Sequence, residues 1–199
     1  GLLLPRKGPS PRTTFPGGLP PEGVKNLLPG LAVTRPHQVG VADLSYVVLG
    51  EGVAYLAVVM DLHTRKILGV ALGPRLSQGL TLGALEMALR EGCPEVHHSD
   101  RGVQYTSRAY VERLLGLGVR LSYAGTGRPW ENGHAERLIR TIKEEWVALR
   151  EYRTLAEARA SVKAFVLEVY NRKRPHSALG YLTPEAFSES LLKGGGSPD

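Results

Sequence analysis

The sequence predicts an α/β fold: a mixed five-stranded sheet, three antiparallel strands followed by two parallel ones, flanked by helices. Three observations carry this. Between residues 39 and 72, three apolar, β-branched runs are separated only by short turns, the pattern of an antiparallel meander. From residue 77 to 123, helical stretches alternate with short strands, the pattern of crossover connections. Beyond residue 130 the apolar residues recur at helical spacing.

Taken in order, residues 1–36 differ from the rest. Eight of the 14 prolines fall here. They remove backbone donors and forbid helix interiors, so an extended, partly disordered arm is expected, docking by Leu27, Leu28 and Leu31. Residues 39–49 then read as a buried strand, with Gly50-Glu51-Gly52 as a turn. Residues 53–60 form a second strand and 66–72 a third, joined by a turn at 61–65. Residues 77–91 carry Leu80, Leu82, Leu85 and Leu89 at mostly helical spacing, stopped by Gly92-Cys93-Pro94. A short strand at 95–99 ends in Asp100. Thr106 or Ser107 is the expected cap of a helix to about residue 115, and residues 119–123 make a last strand. The first and fourth strands are expected as central neighbours, bringing Asp43 close to Asp100.

Residues 124–129 hold two glycines and a proline and lack the spacing of a phosphate-cradling loop. A helix is expected from Trp130 or Glu131 to about residue 149. Asn132, Glu136, Arg140 and Lys143 share one face of it, and Leu138, Ile139, Ile142 and Trp146 an apolar one. A last long helix is expected over 154–170, with Thr154 and Glu157 as a capping box. Residues 171–176 are a basic tail, and Thr183-Pro184 opens a short helix. The expected organisation is an arm at 1–36, a core at 37–188 and a flexible end at 189–199.

Three acids stand out against this scaffold: Asp43 in a strand, Asp100 at a strand end, and Glu136 on a helix face, with 35 residues between the last two. Acids so placed can converge on a divalent-metal site built only of oxygen ligands. Asp61, at a hairpin entrance, reads as a turn residue. His97 and His98 read as structural, His134 points elsewhere on its helix, and Trp130 is either a base-stacking residue or a loop anchor. The formal net charge of +6 favours a polyanionic partner. The single Cys93 excludes an internal disulfide framework and a multi-thiolate zinc site. No run approaches the about 18 apolar residues of a membrane span, so a cytoplasmic, nucleoid-associated protein with no membrane contact is expected. The chain opens on Gly rather than Met, as a fragment would.

The words VADLSYV, YLAVVMDLHTRKILG, HSDRGVQYTS, PWENGHAERLIRTIKEE and YNRKRPHSALGYLTPEAF, in this order, resemble the catalytic core of OrfB-type bacterial insertion-sequence transposases, which share an integrase core with retroviral integrases. The resemblance spans roughly residues 24–188. It implies an RNase H-like fold and a DDE triad of Asp43, Asp100 and Glu136 holding two Mg²⁺ (or Mn²⁺) ions. It implies phosphodiester cleavage at transposon ends and 3′-hydroxyl strand transfer into target DNA. Lys143 matches a basic position that touches the transposon end. Arg101, Gln104, Asn132, Arg140, Arg172, Arg174 and His176 are further candidate DNA contacts, and Ser99 is read as a hydrogen-bonding neighbour rather than a nucleophile. A homo-oligomer on DNA is implied as well. The sequence departs from the family at Gly40, where a Trp is usual, at Ala42, where a Thr is usual, and at Glu131, where an Asp is usual. Residues 1–36 contain no helix-turn-helix pattern, so recognition of specific ends calls for an upstream domain or protein, and the zinc-binding His/Cys domain of retroviral integrases is absent. The alternatives are an inactive or repurposed DNA-binding core and a metal-dependent nuclease without strand transfer.

Overall fold

Alternating apolar residues on the first strands commit both of their faces to burial, and the computed structural model, which describes residues 23–125 and 128–194, shows how they are covered. The strands are β1 (Val39–Val48), β2 (Val53–Asp61), β3 (Ile67–Gly73), β4 (Val96–Ser99) and β5 (Arg120–Tyr123). Their order in the sheet is β3-β2-β1-β4-β5. β1 pairs antiparallel with β2, and β2 with β3, while β4 runs parallel to β1 and β5 parallel to β4. This is the mixed sheet expected from the sequence.

The period-2 alternation sorts the core into two layers. Val39, Val41 and Val47 of β1 join Leu56, Val58 and Met60 of β2 beneath α3 (Gly133–Glu145) and α4 (Leu155–Ala164). Ala42 and Leu44 face the other way, with Ala57 and Val59, onto α1 (Gln78–Glu91) and α2 (Arg108–Leu115). A last helix, α5 (Pro184–Gly194), follows the basic tail.

Capping follows the sequence in α4, where Thr154 accepts from Glu157 N at 3.2 Å, and α1 is capped in the same way, Ser77 Oγ accepting from Leu80 N. Thr183 accepts from Ala186 N at the start of α5. At α2 Ser107 stands at the cap as expected, but its hydroxyl donates to Gln104 O at 3.0 Å and makes no side-chain cap hydrogen bond. The two long helices expected at 130–149 and 154–170 are also interrupted. The first begins with a single turn of 3-10 geometry, Pro129–Asn132, and ends where Trp146 leaves helical dihedrals. Trp146 turns aside because its indole donates to Ser161 Oγ at 2.9 Å and stacks on Phe165. The second widens into a π-helical turn, Phe165–Tyr170, in which Asn171 N reaches back to Val166 O. That turn carries Asn171, expected only as tail, into the core. There its amide exchanges two 3.0 Å hydrogen bonds with the backbone of Ile67, substituting for a missing strand beside β3.

Of the arm, residues 23–36 are described. Leu28 and Leu31 pack on the α3 side of the core. Leu27 does not dock by its side chain, because its backbone N–H is committed to Ser122 Oγ at 2.9 Å and this leaves the side chain outward. The remainder of the expected arm and the last five residues lie outside the described residues. Among the described residues no helix is long and apolar enough to cross a membrane.

Gly69 of β3 shows how tightly the sheet packs on α1. A Cβ there would overlap the carbonyl oxygen of Ala84 and lie 2.9 Å from its carbon, both fixed in the helix backbone. Gly69→Ala should therefore cost about 1–3 kcal/mol through overpacking, a drop of several degrees in the thermal midpoint at about 2–4 °C per kcal/mol. Gly83→Ala, whose Cβ meets nothing nearer than Ala71 Cβ at 4.0 Å, should be neutral or stabilising because alanine favours helix. Circular-dichroism melts of the two variants check this, and equal midpoints would contradict it.

Candidate active site

β1 is the central strand and both its faces are covered, a costly place for a carboxylate. Yet Asp43 sits in its middle. The parallel register with β4 pairs Val41 with His98. Two residues further along each strand, on the same face by alternation, come Asp43 and Asp100. That face is the one α3 covers, and α3 carries Glu136 in its first turn.

The electrostatics agree with this placement. The Asp43 carboxyl is pushed up from 3.8 to about 8, first by desolvation and then by the negative charges of Asp100 and Glu136. One hydrogen bond, from Leu44 N at 2.8 Å, opposes the shift. Three carboxyl groups thus share one electrostatic neighbourhood. They do not form a closed ligand cluster: among the described residues, no three His, Cys, Asp or Glu side chains are grouped to hold a metal ion.

Each acid is positioned by its own local structure. Asp100 begins a tight turn in which its Oδ1 accepts from Gly102 N at 2.9 Å. A Cβ at residue 102 would stand 3.0 Å from that oxygen, so the turn wants glycine. Glu136 is positioned by the anchoring of its helix. Asn132, at the helix start, donates to Ala42 O at 3.2 Å, beside Asp43. His98, two residues before Asp100, spans the gap between sheet and helix: its Nε2 donates to Glu131 O at 3.1 Å and its Nδ1 accepts from Ser122 Oγ at 2.8 Å. Burial holds His98 neutral, at about 4, which suits this arrangement. His97 faces the other layer, where Tyr110 Oη donates to its Nε2 at 2.9 Å, and burial brings it down to about 3. Both histidines are structural.

Several candidate DNA contacts are already engaged. Arg101 donates to Ala124 O and Val24 O, tying the arm to the sheet. Arg172 pairs with Glu185 and Arg174 with Glu145. Gln104 and Asn132 are buried, each with an amide oxygen that lacks a partner among the described residues. Lys143 lies 4.0 Å over the Tyr46 ring, near the end of β1. His176 packs against Tyr170, and Arg140 is exposed with no ion pair among the described residues. Asp61 holds a turn, accepting from His37 N, Thr64 N and Thr64 Oγ1. Ser99 is buried and donates to the Asp100 carbonyl.

Sequence reasoning missed one group outright. Glu131, seen only as a replacement for Asp, accepts from Gly125 N at 2.8 Å, Asn26 Nδ2 at 3.0 Å and Arg128 Nη1 at 3.2 Å. It fastens the connector and the arm to the start of the Glu136 helix. Asn26 and Glu131 are 105 positions apart, and nothing local in either marks the contact.

Two family models, both described as integrase core domain, match residues 33–129 and 117–184. An uncharacterized 31 kDa protein of insertion element IS600 from Shigella sonnei is 38% identical over 161 residues, covering 79% of this chain and 59% of its own. The transposase of insertion sequence IS904 from Lactococcus lactis is 33% identical over 159 residues, covering 78% and 63%. The chain therefore spans about three fifths of the length of these curated relatives. Among solved structures, the catalytic core domain of HTLV-2 integrase in complex with magnesium superposes with a TM-score of 0.61 at 16% identity, covering 82% of this chain and 99% of its own. That likeness shows a shared RNase H-like α/β fold.

The raised pKa of Asp43 has a consequence for stability. Because the folded chain keeps this proton where the unfolded chain has lost it, stability is full below about pH 4 and declines as pH rises to about 8. In chelator, the urea midpoint should fall as pH is raised from about 5 to about 8.5. Asp43→Asn, which keeps the neutral shape, should flatten that slope. Parallel slopes in the two proteins would contradict the shift.

Proposed function

Since this chain belongs to the integrase core domain family, we propose that it is the catalytic core of a DDE transposase, a polynucleotidyl transferase. It cleaves phosphodiesters at the ends of a mobile DNA element and joins the freed 3′-hydroxyl to target DNA. The observation that supports this reading is the position of Asp43 on the sheet face that α3 covers, near enough to Asp100 and Glu136 for their charges to add to the effect of burial on its pKa.

The donor set fits a divalent cation. Carboxylate oxygens are the ligands hard cations select, and a cation would offset the burial and the neighbouring negative charges that hold a proton on Asp43. Gly102 keeps side-chain atoms away from Asp100 Oδ1. Asp43, Asp100 and Glu136 would hold Mg²⁺ or Mn²⁺, two ions in this reading, whose chemistry when bound is to stabilise the attacking and leaving oxygens of an in-line displacement.

The chain's own residues do the rest. Asp43, in the middle of the central strand, is the rigid member and gives up its proton as it becomes a ligand. Glu136 is delivered by a helix pinned to the sheet through Asn132 and His98. Arg140 and Lys143, one and two turns further along that helix, supply positive charge for the phosphates flanking the scissile bond. No side-chain nucleophile is required, and Ser99, turned to the opposite layer, is not one. A multimer that pairs two DNA ends belongs to the same reading, as does recognition of the terminal repeats by a helix-turn-helix module outside this chain.

Nicking and strand transfer on labelled DNA in Mg²⁺ or Mn²⁺ test the proposal. Asp100→Asn and Glu136→Gln should each lower both reactions by about 10³-fold or more, equivalent to about 4 kcal/mol of barrier, with circular dichroism unchanged. Retained activity in either variant would remove the triad. Nicking by the unmodified chain without any joining would reduce the function to that of a nuclease.

A further inference from the structure

A long groove of about 1550 Å³ runs along the outer flank of α3, between that helix, the β2–β3 turn and the C-terminal tail. It is larger than the about 300–1,000 Å³ typical of small-molecule sites. Arg137 stands about 100° around the helix from Glu136 and Arg140 about 40°, so the groove borders the carboxylate face without including Glu136 in its lining.

Its lining is strongly cationic. Arg65, Arg137 and Arg140 all border it, and none makes an ion pair among the described residues. Arg65 instead donates to His134 Nδ1 at 3.0 Å, and the charge of Arg137 presses on both. His176 adds a ring nitrogen, Nε2, that is buried without a hydrogen-bond partner among the described residues. Glu131 and Glu144 also line the groove, but Glu131 is spent on Gly125, Asn26 and Arg128. Arg65, Arg137 and Arg140 therefore outnumber Glu144, the other acid of the lining, and such an excess of positive charge favours a polyanion.

Backbone geometry singles out the same groove. Only three non-glycine residues among those described have positive φ, and two of them, Arg65 at 61° and Tyr181 at 64°, line it. Such conformations are strained for side chains with a Cβ and cluster at functional sites. Tyr181 is held there by hydrogen bonds from its N–H to His176 O and from His176 N to Leu182 O. The result is a tyrosine 75% exposed in the same groove as the three arginines. A flat ring beside cations is how proteins hold unpaired bases, because stacking needs a base face that a duplex hides.

We propose that this groove binds single-stranded DNA, the arginines holding successive phosphates and Tyr181 stacking on a base. The proposal rests on the DNA-processing reading above and adds to it a path for an unpaired strand beside the catalytic carboxylates.

Fluorescence anisotropy with a labelled oligo(dT) of about 16 nucleotides, and with a duplex of equal length, tests this in the full chain. Tyr181→Ala should weaken single-strand binding by about 5–50-fold while leaving the duplex within about twofold, and Tyr181→Phe should keep most of the affinity. Arg65→Ala with Arg137→Ala should lower the salt slope by about 1.4. If Arg65→Ala perturbs folding in a melt, Arg137→Ala alone should lower it by about 0.7. Equal losses for duplex and single strand, no loss in Tyr181→Ala, or tenfold tighter binding of oligo(U) would each overturn the proposal. Asp100→Asn separates the two readings. If it keeps full cleavage while the groove variants behave as expected, the active-site reading fails and the groove stands. If it loses cleavage while the groove variants bind like the unmodified chain, the reverse holds.

Discussion

The parallel pairing of β1 with β4 is the constraint on which the rest of this molecule depends. Only three residue pairs define it, Val39 with Val96, Gly40 with His97 and Val41 with His98. A slip of one residue would turn Asp43 and Asp100 to opposite faces, because side chains alternate with period 2. Several features guard against that slip. Val39, Val41 and Val96 are buried in one layer, while His97 makes its hydrogen bond in the other. Gly40, in the place of a larger residue, lets Pro94 approach to 3.4 Å from where a Cβ would stand. Apolar packing thus sets the register, and the register sets the separation of two acids.

The third acid reaches the site by different means. α3 is joined to the sheet not only by Leu138, Ile139 and Ile142 but also by buried polar contacts at its start, Asn132 to Ala42 O and His98 to Glu131 O. Apolar contacts alone leave a helix free to slide along its axis, since they are non-directional; a hydrogen bond from a buried ring to a particular carbonyl does not. Being neutral, His98 can serve as donor at one nitrogen and acceptor at the other, so it links Ser122 on β5, β4 and the helix start in one chain of contacts. The arm joins the same network through Leu27 N on Ser122 and Asn26 on Glu131.

Much of this was legible before any coordinates. The three-strand meander, the crossovers and the apolar stripe of α3 follow from periodicity, which is a local property. The acids were legible as a set because a strand centre, a strand end and a helix face were each readable around them. What could not be read were contacts between segments far apart in sequence. Glu131 looked like a conservative replacement and is a junction of loop, arm and helix. Asn171 looked like the first residue of a basic tail and instead completes the edge of β3. Arg101, Arg172 and Arg174 looked alike as cations, and only the fold reveals that each already holds a backbone carbonyl or a carboxylate. Charge is visible in a sequence, whereas the partner that neutralises it is not.

The distribution of rigidity follows from the same facts. Asp43 is carried by the central strand and Asp100 by the turn directly after β4, its neighbour, where local opening is least favourable. Glu136 is carried by a helix whose start is tied to the sheet, and whose last turn is tied by Lys143 over Tyr46 and by Glu145 to Arg174 of the tail. Each of these outer ties is solvent-accessible and individually weak. The folded chain therefore stores like-charge repulsion where its backbone is most firmly held, and lets the proton on Asp43 offset it. A site of this kind is assembled against its own electrostatics, and packing rather than attraction among the three acids keeps it in place. The stability it forgoes returns when Asp43 keeps its proton or when positive charge enters beside it.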